Sequence, residues 1–470
     1  MTVGGTAFSP RYPVRRRQPH GTPRWWRDAA GIACWASILI VLALWLSGGG
    51  AQSLLRTPAD LAISLGRLSG LISANLLLIQ VLLMARIPML ERSYGQDELA
   101  RRHRLVGFTS FSLLVAHVVL ILTGYTLRDH SNLIRETWSV VTSYGGMLLA
   151  VASLAALTTV VVTSVRAARR RLRYESWHLL HLYAYLGVGL SVPHEIWTGA
   201  DFATSGLARA YWWSLYAAAL AAIVGYRLVV PVWRSLRHGI RVQRVVRETP
   251  DVVSVLLTGR GLHRLPVRAG QYFVFRFLDG PGWSRGNPYS LSATPSPLGM
   301  RFTAKEVGDG SGRLARLRPG TRVLVEGPYG RLTGEDRATS KVAMIACGIG
   351  ITPLRALLED LDYRPGDAVL VYRARGNVDL ALRDEIDDLA RRRGIAVHYV
   401  LGGRIRDRNS WLPGSAAGWS DAAALEHLVP GLRGYDVFVC GPDAWMDAVC
   451  AAALDAGLPR EQLHQERFSW

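Results

Sequence analysis

Long apolar runs organise the first half of the chain, at about residues 29 to 48, 61 to 88, 105 to 125, 139 to 165, 177 to 197 and 209 to 232. Each suits a helix of roughly 20 residues crossing the hydrocarbon core, so the pattern predicts six spans. Near residue 236 the period changes. "VVSVLLTG", "QYFVFRF", "MRFTAKEV" and "TRVLVEGPYG" are short, rich in β-branched and aromatic residues, and separated by Gly and Pro, which predicts a small antiparallel β-barrel. After residue 340 apolar strands alternate with helical patterns, from "KVAMIAC" and "TPLRALLEDL" through "DAVLVYRAR" and "LRDEIDDLARRR" to "AVHYVLG" and "DVFVCGP". That alternation predicts a parallel α/β sheet. The expected fold is a membrane α-helical bundle followed by a β-barrel domain and an α/β nucleotide-binding domain. The boundaries are a basic tail 1–28, a six-span domain 29–235, a barrel 236–335 and an α/β domain 336–470.

Charge supplies the orientation. A hydrophobic content of 49% beside a formal charge of +19 requires the charge to be segregated from the apolar part. The tail carries Arg11, Arg15, Arg16, Arg17, Arg24 and Arg27; the second-to-third connection carries Arg86, Arg92, Arg101, Arg102 and Arg104; the fourth-to-fifth carries Arg166, Arg169, Arg170, Arg171 and Arg173. The alternate connections hold chiefly Arg56, Arg128 and Arg135. By the positive-inside rule the N-terminus is cytoplasmic, and six spans return the chain to the cytoplasm of a cell inner (plasma) membrane. The long basic lead fits an uncleaved anchor rather than a signal peptide. Because the arginines sit beside apolar spans, no nucleic-acid partner is expected; the lipid bilayer is.

Histidines inside the spans point to chemistry, since an ionisable group at bilayer depth is costly and by default functional. The third segment holds His103 and His117, the fifth His178, His181 and His194. Those two spans run in the same direction, so His103 and His181 share one level, toward the cytoplasm, and His117 and His194 another, about 20 Å away at 1.5 Å rise per residue. His178, one turn from His181, competes as the inner ligand. Two bis-histidine sites suit two b-type haems carrying electrons. On an ideal helix 13 residues turn His194 about 140° away from His181, so Pro193, with Gly187 and Gly189, has to reorient the outer end. Cys34, Cys347, Cys440 and Cys450 are too scattered for an iron–sulfur cluster, and structural disulfides are not expected.

In the second half "KVAMIAC" runs into "GIGITP", where Gly348 and Gly350 let a phosphate approach the backbone at a helix start. Residues 236 to 470 resemble the ferredoxin-reductase superfamily of FAD and NAD(P)H modules, and residues 60 to 235 resemble the ferric reductase and NADPH oxidase membrane domain. "NPYSLS", Asn287 to Ser292, is similar to the flavin motif R-x-Y-S. The resemblance implies that Pro288, Tyr289, Ser290 and Leu291 bind FAD, with Tyr289 on the isoalloxazine and Ser290 near its N5. Asn287 stands where most relatives have Arg, or His in the oxidases, so the pyrophosphate contact falls to Asn287 or Arg285. "GDGS" implies a pyrophosphate turn at Gly308, Gly310 and Ser311. "CGIGITP" resembles the nicotinamide-nucleotide turn, with Gly348, Gly350, Thr352 and Pro353 in register and Cys347 in place of a glycine. Cys440, Gly441 and Pro442 match the loop beside the nicotinamide. "QERF" resembles the E-x-F signature, which implies Glu466 near the flavin and Phe468 as its shield. The resemblance also selects His103, His117, His181 and His194 as haem ligands, His181 over His178.

A nicotinamide gives two electrons as hydride and haem iron takes one, so a flavin belongs between them. The implied activity is an NAD(P)H-dependent ferric reductase or NADPH oxidase-like flavocytochrome b, with electrons leaving on the outer face. Arg373 and Arg375 follow "AVLVY", where a 2′-phosphate is expected, which favours NADPH. Arg101, Arg104 and Arg173 are candidate propionate contacts. The expected acceptor is a ferric chelate, because "NPYS" departs from the oxidases' histidine version; O₂, a quinone or a protein are the alternatives. The outer connection "GYTLRDHSNLIRETW" is expected to be a solvated loop bearing Arg128 and His130.

Overall fold

Small residues decide how the first half packs. Helices α1 (Trp25–Ser47), α2 (Pro58–Met84), α3 (Pro88–Tyr94) and α4 (Gln96–Arg128) are followed by α5 (Leu133–Ser143), α6 (Met147–Ser164), α7 (Tyr174–Thr198), α8 (Gly206–Ile223) and α9 (Val230–His238). This is a computed structural model, and it describes residues 25–467 other than 170, 172, 173, 200, 201, 203, 204, 281, 298 and 406. Arg11, Arg15, Arg16, Arg17, Arg24, Arg170, Arg173 and Phe468 therefore lie outside the described residues. Among the described residues five helices are long and apolar enough to cross a membrane: α1, α2, α4, α6 and the run Gly206–His238. The fifth apolar segment of the sequence forms α7, which has Pro193 inside it.

Starts are capped as the sequence chemistry demands. Thr57 accepts from the Asp60 amide at 3.1 Å with Pro58 in the first turn of α2, and Ser205 accepts from the Ala208 amide at 3.0 Å for α8. α2 and α4 approach closely because Gly66 faces Ile121 and Gly124 faces Ile63. Ser73 and Ser110 seal the contact by donating to each other's carbonyl oxygens at 2.8 and 3.1 Å. α6 meets α7 in the same way: Ser153 donates to the Gly187 oxygen at 2.7 Å, and the bare Gly187 admits Leu157. α1 and α8 join α2 through a buried triangle, in which the Asn75 oxygen accepts from Ser37 and Tyr211, each at 2.7 Å.

The expected loop after α4 is instead largely helical. Asn132 caps α5 by accepting from the Arg135 amide at 2.8 Å. Glu136 and Val140 then turn inward while Leu133, Ile134 and Trp138 stay exposed. Apolar residues at helical spacing behind an Asn cap are the signal that "solvated loop" overlooked.

Two compact units divide the chain, one ending at Arg227 and the other beginning at Leu228. The break falls in a π-helical turn, Val224–Val229. α9 goes with the second unit, since Ser235 accepts from the Val325 amide at 2.9 Å.

That second unit starts with six antiparallel strands: β1 (Arg241–Thr249), β2 (Val252–Thr258), β3 (Tyr272–Phe277), β4 (Asn287–Ser290), β5 (Met300–Lys305) and β6 (Val323–Tyr329). They form two three-stranded sheets, ordered β1-β2-β5 and β4-β3-β6, around one core that includes Phe273, Phe275 and Phe302. Single bridges Arg241–Arg322 and Leu291–Phe302 join their edges. Next comes a parallel sheet of β7 (Lys341–Cys347), β8 (Ala368–Ala374), β9 (Ile395–Leu401), β10 (Tyr435–Cys440) and β11 (Leu463–Gln465), ordered β11-β10-β7-β8-β9. Helices α10 (Ile351–Asp360) and α11 (Arg383–Arg393) bury one core with it, and α12 (Asp421–Leu428) and α13 (Asp443–Asp455) bury a second.

Asp436, fully buried on β10, ties this sheet to the segment entering β7. Its carboxylate accepts from the Thr339 amide at 2.6 Å, the Thr339 hydroxyl at 2.9 Å, the Ala338 amide at 3.0 Å and the His464 ring at 2.7 Å. Burial alone pushes the carboxyl up, but the His464 contact and the amide donors outweigh it and hold it below the usual carboxylate range. The resulting stability is fully present above the unfolded carboxyl value near pH 4 and is lost as pH falls through the lower folded value. Asp436→Asn should cost about 2 to 3 kcal/mol at neutral pH and flatten the acid side of a stability–pH curve measured by urea unfolding. An acid limb identical to wild type would exclude this role.

Candidate functional site

Four imidazoles meet in two pairs. The rings of His103 (α4) and His181 (α7) have centroids 5.9 Å apart, and those of His117 and His194 on the same helices 6.5 Å apart. A metal–imidazole bond is about 2 Å long and the ring centre lies about 1 Å behind its nitrogen, so rings facing across one metal ion have centres roughly 6 Å apart. Both separations fit that span. His194 reaches its partner despite the unfavourable 13-residue spacing. Pro193, with no N–H for the Gly189 carbonyl, interrupts the ladder there. The ring opposite His103 is that of His181, while His178 is exposed.

The second nitrogen of every ring is engaged. Nδ1 of His103 contacts the Gln80 carbonyl at 3.2 Å and Nδ1 of His117 the Gly66 carbonyl at 2.8 Å, both on α2. A carbonyl only accepts, so Nδ1 carries the proton and Nε2 keeps its lone pair. Nδ1 of His194 lies 2.7 Å from the Thr198 hydroxyl, which also donates to the His194 carbonyl at 2.7 Å and so accepts from the ring. Nδ1 of His181 lies 3.2 Å from the Ser164 hydroxyl. Metal-bound histidines are held in this manner. Gly70 makes room for the outer pair, for a Cβ there would sit 2.6 Å from Nδ1 of His117. No group of three or more His, Cys, Asp or Glu is gathered to hold a metal among the described residues. A porphyrin iron asks the protein only for two axial ligands.

The basic candidates around the pairs divide. Arg101 is ion-paired with Glu98, and Arg104 is exposed. Arg128 pairs with Asp60 at 2.7 Å, and His130 is exposed with a φ of 47°.

In the second unit the flavin motif is strand β4, paired to β3 with Tyr289 opposite Phe273 and Ser290 opposite Tyr272. The Tyr289 ring stacks on Phe302 at 4.8 Å, 4° from parallel, and burial pushes its phenol up. Ser290 and Leu291 are buried. The "GDGS" turn is held by the Ser311 hydroxyl, which accepts from the Val307 and Gly308 amides at 2.8 and 3.2 Å. A Cβ on Gly310 would lie 3.2 Å from the Asn287 side-chain oxygen, so the motif's Asn and this glycine turn form one cradle. Arg285 is exposed in the loop before β4. Such bare backbone beside an amide side chain suits a pyrophosphate.

The nucleotide turn closes on the neighbouring strand. Gly348 has φ +55°, and a Cβ on Gly350 would overlap the Cys440 carbonyl oxygen. Thr352 donates to the Ile349 oxygen at 3.0 Å, and Thr352 and Pro353 are buried. Burial raises the thiols of Cys347, to about 11 against the lowering pull of Arg373, and of Cys440, where Glu466 adds to it. Glu466 accepts from the Leu332 amide at 3.3 Å and packs on Gly330, which brings the chain's end to the turn after β6. Gly441 abuts Cys347 and Trp445, next to Pro442. Of the two arginines expected at a 2′-phosphate, Arg373 is buried and donates to the Val400 and Gly403 carbonyls at 3.4 and 3.2 Å, whereas Arg375 is exposed.

Sequence reasoning did not find the ring partners Gln80, Gly66, Ser164 and Thr198, because no motif marks a carbonyl or a lone hydroxyl. It also passed over Arg301, which grips Glu385 with both terminal nitrogens at 2.5 and 2.8 Å and so ties β5 to α11.

Comparison with known proteins gives the setting. Residues 69–192 match the family model "Ferric reductase like transmembrane component", and residues 344–451 match "Oxidoreductase NAD-binding domain". The glycine betaine monooxygenase reductase subunit of Chromohalobacter salexigens is 28% identical over 247 residues, 50% of this chain and 65% of that protein. Ferredoxin–NADP reductase B of Sorangium cellulosum is 32% identical over 211 residues, 43% of this chain and 84% of that protein. A crystal structure of a ferredoxin NADP+ reductase from Neisseria gonorrhoeae with bound FAD and NADP is 18% identical, with a TM-score of 0.39 over 48% of this chain and 96% of that one. Joining these two matched parts, the chain, which spans 65% of the length of the glycine betaine monooxygenase reductase subunit, belongs to the ferric-reductase-like transmembrane proteins fused to a ferredoxin-reductase-type module.

Proposed function

We propose that this protein carries electrons from cytoplasmic NADPH through FAD and two b-type haems to a ferric chelate on the outer face of the plasma membrane. The observation that carries the reading is the pair of imidazole pairs, spaced for one iron each, with Nδ1 engaged in all four rings. His103, His117 and His181 fall within residues 69–192, the stretch that matches the ferric-reductase-like family, and His194 lies two residues beyond it. In this reading α7 is the fifth of six spans, and both the N-terminus and the reductase module are cytoplasmic, in keeping with the arginine distribution. Domain limits of 29–235, 236–335 and 336–470 go with it.

When bound, FAD takes an electron pair as hydride and releases it singly, and each haem passes one electron at a time. The chain's own residues do the positioning. Asn287, Gly308, Gly310 and Ser311 hold the flavin's pyrophosphate, with Pro288, Tyr289, Ser290 and Leu291 against its ring system. Gly348, Gly350, Thr352 and Pro353 seat the dinucleotide, and Cys440, Gly441 and Pro442 place its nicotinamide. Glu466, anchored at Leu332, holds the end of the chain there, with Phe468 beyond it as the ring's shield. His103 and His181 would hold the inner haem and His117 and His194 the outer one, so the acceptor would take its electron at the outer surface beside His117 and His194. Asn287, in place of the oxidases' histidine, favours ferric chelate over O₂.

Replacing His117 or His194 by Leu should remove one haem and replacing His103 or His181 the other, read as a halved pyridine haemochrome; His178→Leu should keep both. Two haems in His181→Leu would refute the inner assignment. Arg375 is exposed where Arg373 is buried, which supports Arg375 as the 2′-phosphate contact, and the Sorangium relative is named for NADP. Arg375→Ala should therefore lower kcat/KM for NADPH about ten-fold or more while sparing NADH, the size of one charge-assisted hydrogen bond. Equal losses for both nucleotides would count against it. In vesicles with NADPH inside, ferric chelate outside should be reduced under argon. Reduction only in air, abolished by superoxide dismutase, would make the protein an oxidase.

A further inference from the structure

The four histidines are not held equally well. Those on α4 lean on carbonyls of α2, and His194 on a hydroxyl whose own proton is committed. His181 has one hydroxyl, that of Ser164, at 3.2 Å. That hydroxyl, which has no other acceptor among the described residues, fixes neither the tautomer nor the ring's rotation, since it donates or accepts equally well. Something else must set the plane of this ring. One turn earlier on α7, the Trp177 indole lies with its centroid 5.0 Å from the His181 ring and 32° from parallel to it. The guanidinium of Arg169 covers the same indole at 4.3 Å. Arg169 ends the helical turn Arg166–Arg169 that follows α6, so a cation fixed beyond one helix pins an aromatic ring on the next. The series runs Arg169, Trp177, His181, His103, and the two imidazole planes at its end are 65° apart.

We infer that Trp177, pinned by Arg169, is the positioning residue that sets the plane of the His181 imidazole and so the electronic state of the inner redox centre. The inference rests on the reading of His103 and His181 as axial ligands of one haem. An indole held from behind resists rotation of the imidazole in front of it, which a lone hydroxyl contact does not. The angle between two axial imidazoles orders the d orbitals of a low-spin ferric haem, so it is read directly in the electron paramagnetic resonance g values and, through orbital energy, in the midpoint potential. Removal of the indole frees the His181 plane and alters both quantities at this level while leaving the His117–His194 level unchanged.

The test uses purified full-length protein as wild type, Trp177→Leu, Trp177→Phe and Arg169→Gln, with His103→Leu to identify the outer signal. Trp177→Leu should keep the outer g values and potential and shift the inner ones, or lose the inner haem alone. Trp177→Phe, which retains an aromatic face, should restore the inner signal toward wild type, and Arg169→Gln should shift it in the same direction as Trp177→Leu but less. If Trp177→Leu carries two haems whose g values and potentials superimpose on wild type, the inference is wrong while the haem assignment stands. A wild-type protein without b-type haem absorbance overturns the assignment and the inference with it.

Discussion

An imidazole N–H at bilayer depth must find an acceptor inside the protein, because lipid offers none. The arrangement of the first half depends on that contact. α2 carries no histidine, yet its Gly66 and Gln80 carbonyls take the Nδ1 protons of His117 and His103. To deliver carbonyls of a helical backbone to a neighbour's rings, α2 has to lie almost against α4, and Gly66, Gly70, Gly124 and the Ser73–Ser110 exchange permit that approach. The small residues thus shape the surroundings of the four imidazoles, although none of them carries a functional group toward them.

The α7 side is built on a different principle. Its rings depend on hydroxyls, one from its own helix and one from α6, and on an aromatic neighbour. α6 and α7 are in turn held by Ser153 and Gly187. The outer ring is crowded from a third direction, where Gly146, with φ +82°, packs against the backbone of His194 and Pro193. One wall of the site is therefore backbone-anchored and the other side-chain-anchored.

In the reductase unit the comparable constraint is close approach of backbone to backbone. Gly350 against the Cys440 carbonyl and Gly310 against Asn287 leave bare backbone at the two glycine turns, where a Cβ would crowd its neighbour. The two halves of this unit are tied by charge: Arg301 reaches from β5 to Glu385 on α11, and Arg355 on α10 pairs with Glu359, which accepts from the Thr294 amide at 2.9 Å. Partly buried and hydrogen-bonded at both ends, these pairs contribute more orientation than stability.

Much of this was legible in the chain alone. Apolar length gave the membrane helices, period-2 runs followed by strand–helix alternation gave the two sheet types, and the similar spacings of 14 and 13 residues on two apolar segments paired His103 with His181 and His117 with His194. Those properties are local or periodic, so one sequence displays them. The helix α5 was missed because an outer connection was read from its polarity rather than from the cap at Asn132. Arg373 and Arg375 look alike in the sequence, two arginines after a strand, and only the fold turns one into the carbonyls of Val400 and Gly403 and leaves the other exposed. The same holds for the acceptors of the ring nitrogens and for the Arg169–Trp177–His181 series. A backbone carbonyl has no sequence signature and a cation–π contact requires two helices to be packed, so the candidate residues were set by the sequence, and the groups that orient them by tertiary structure alone.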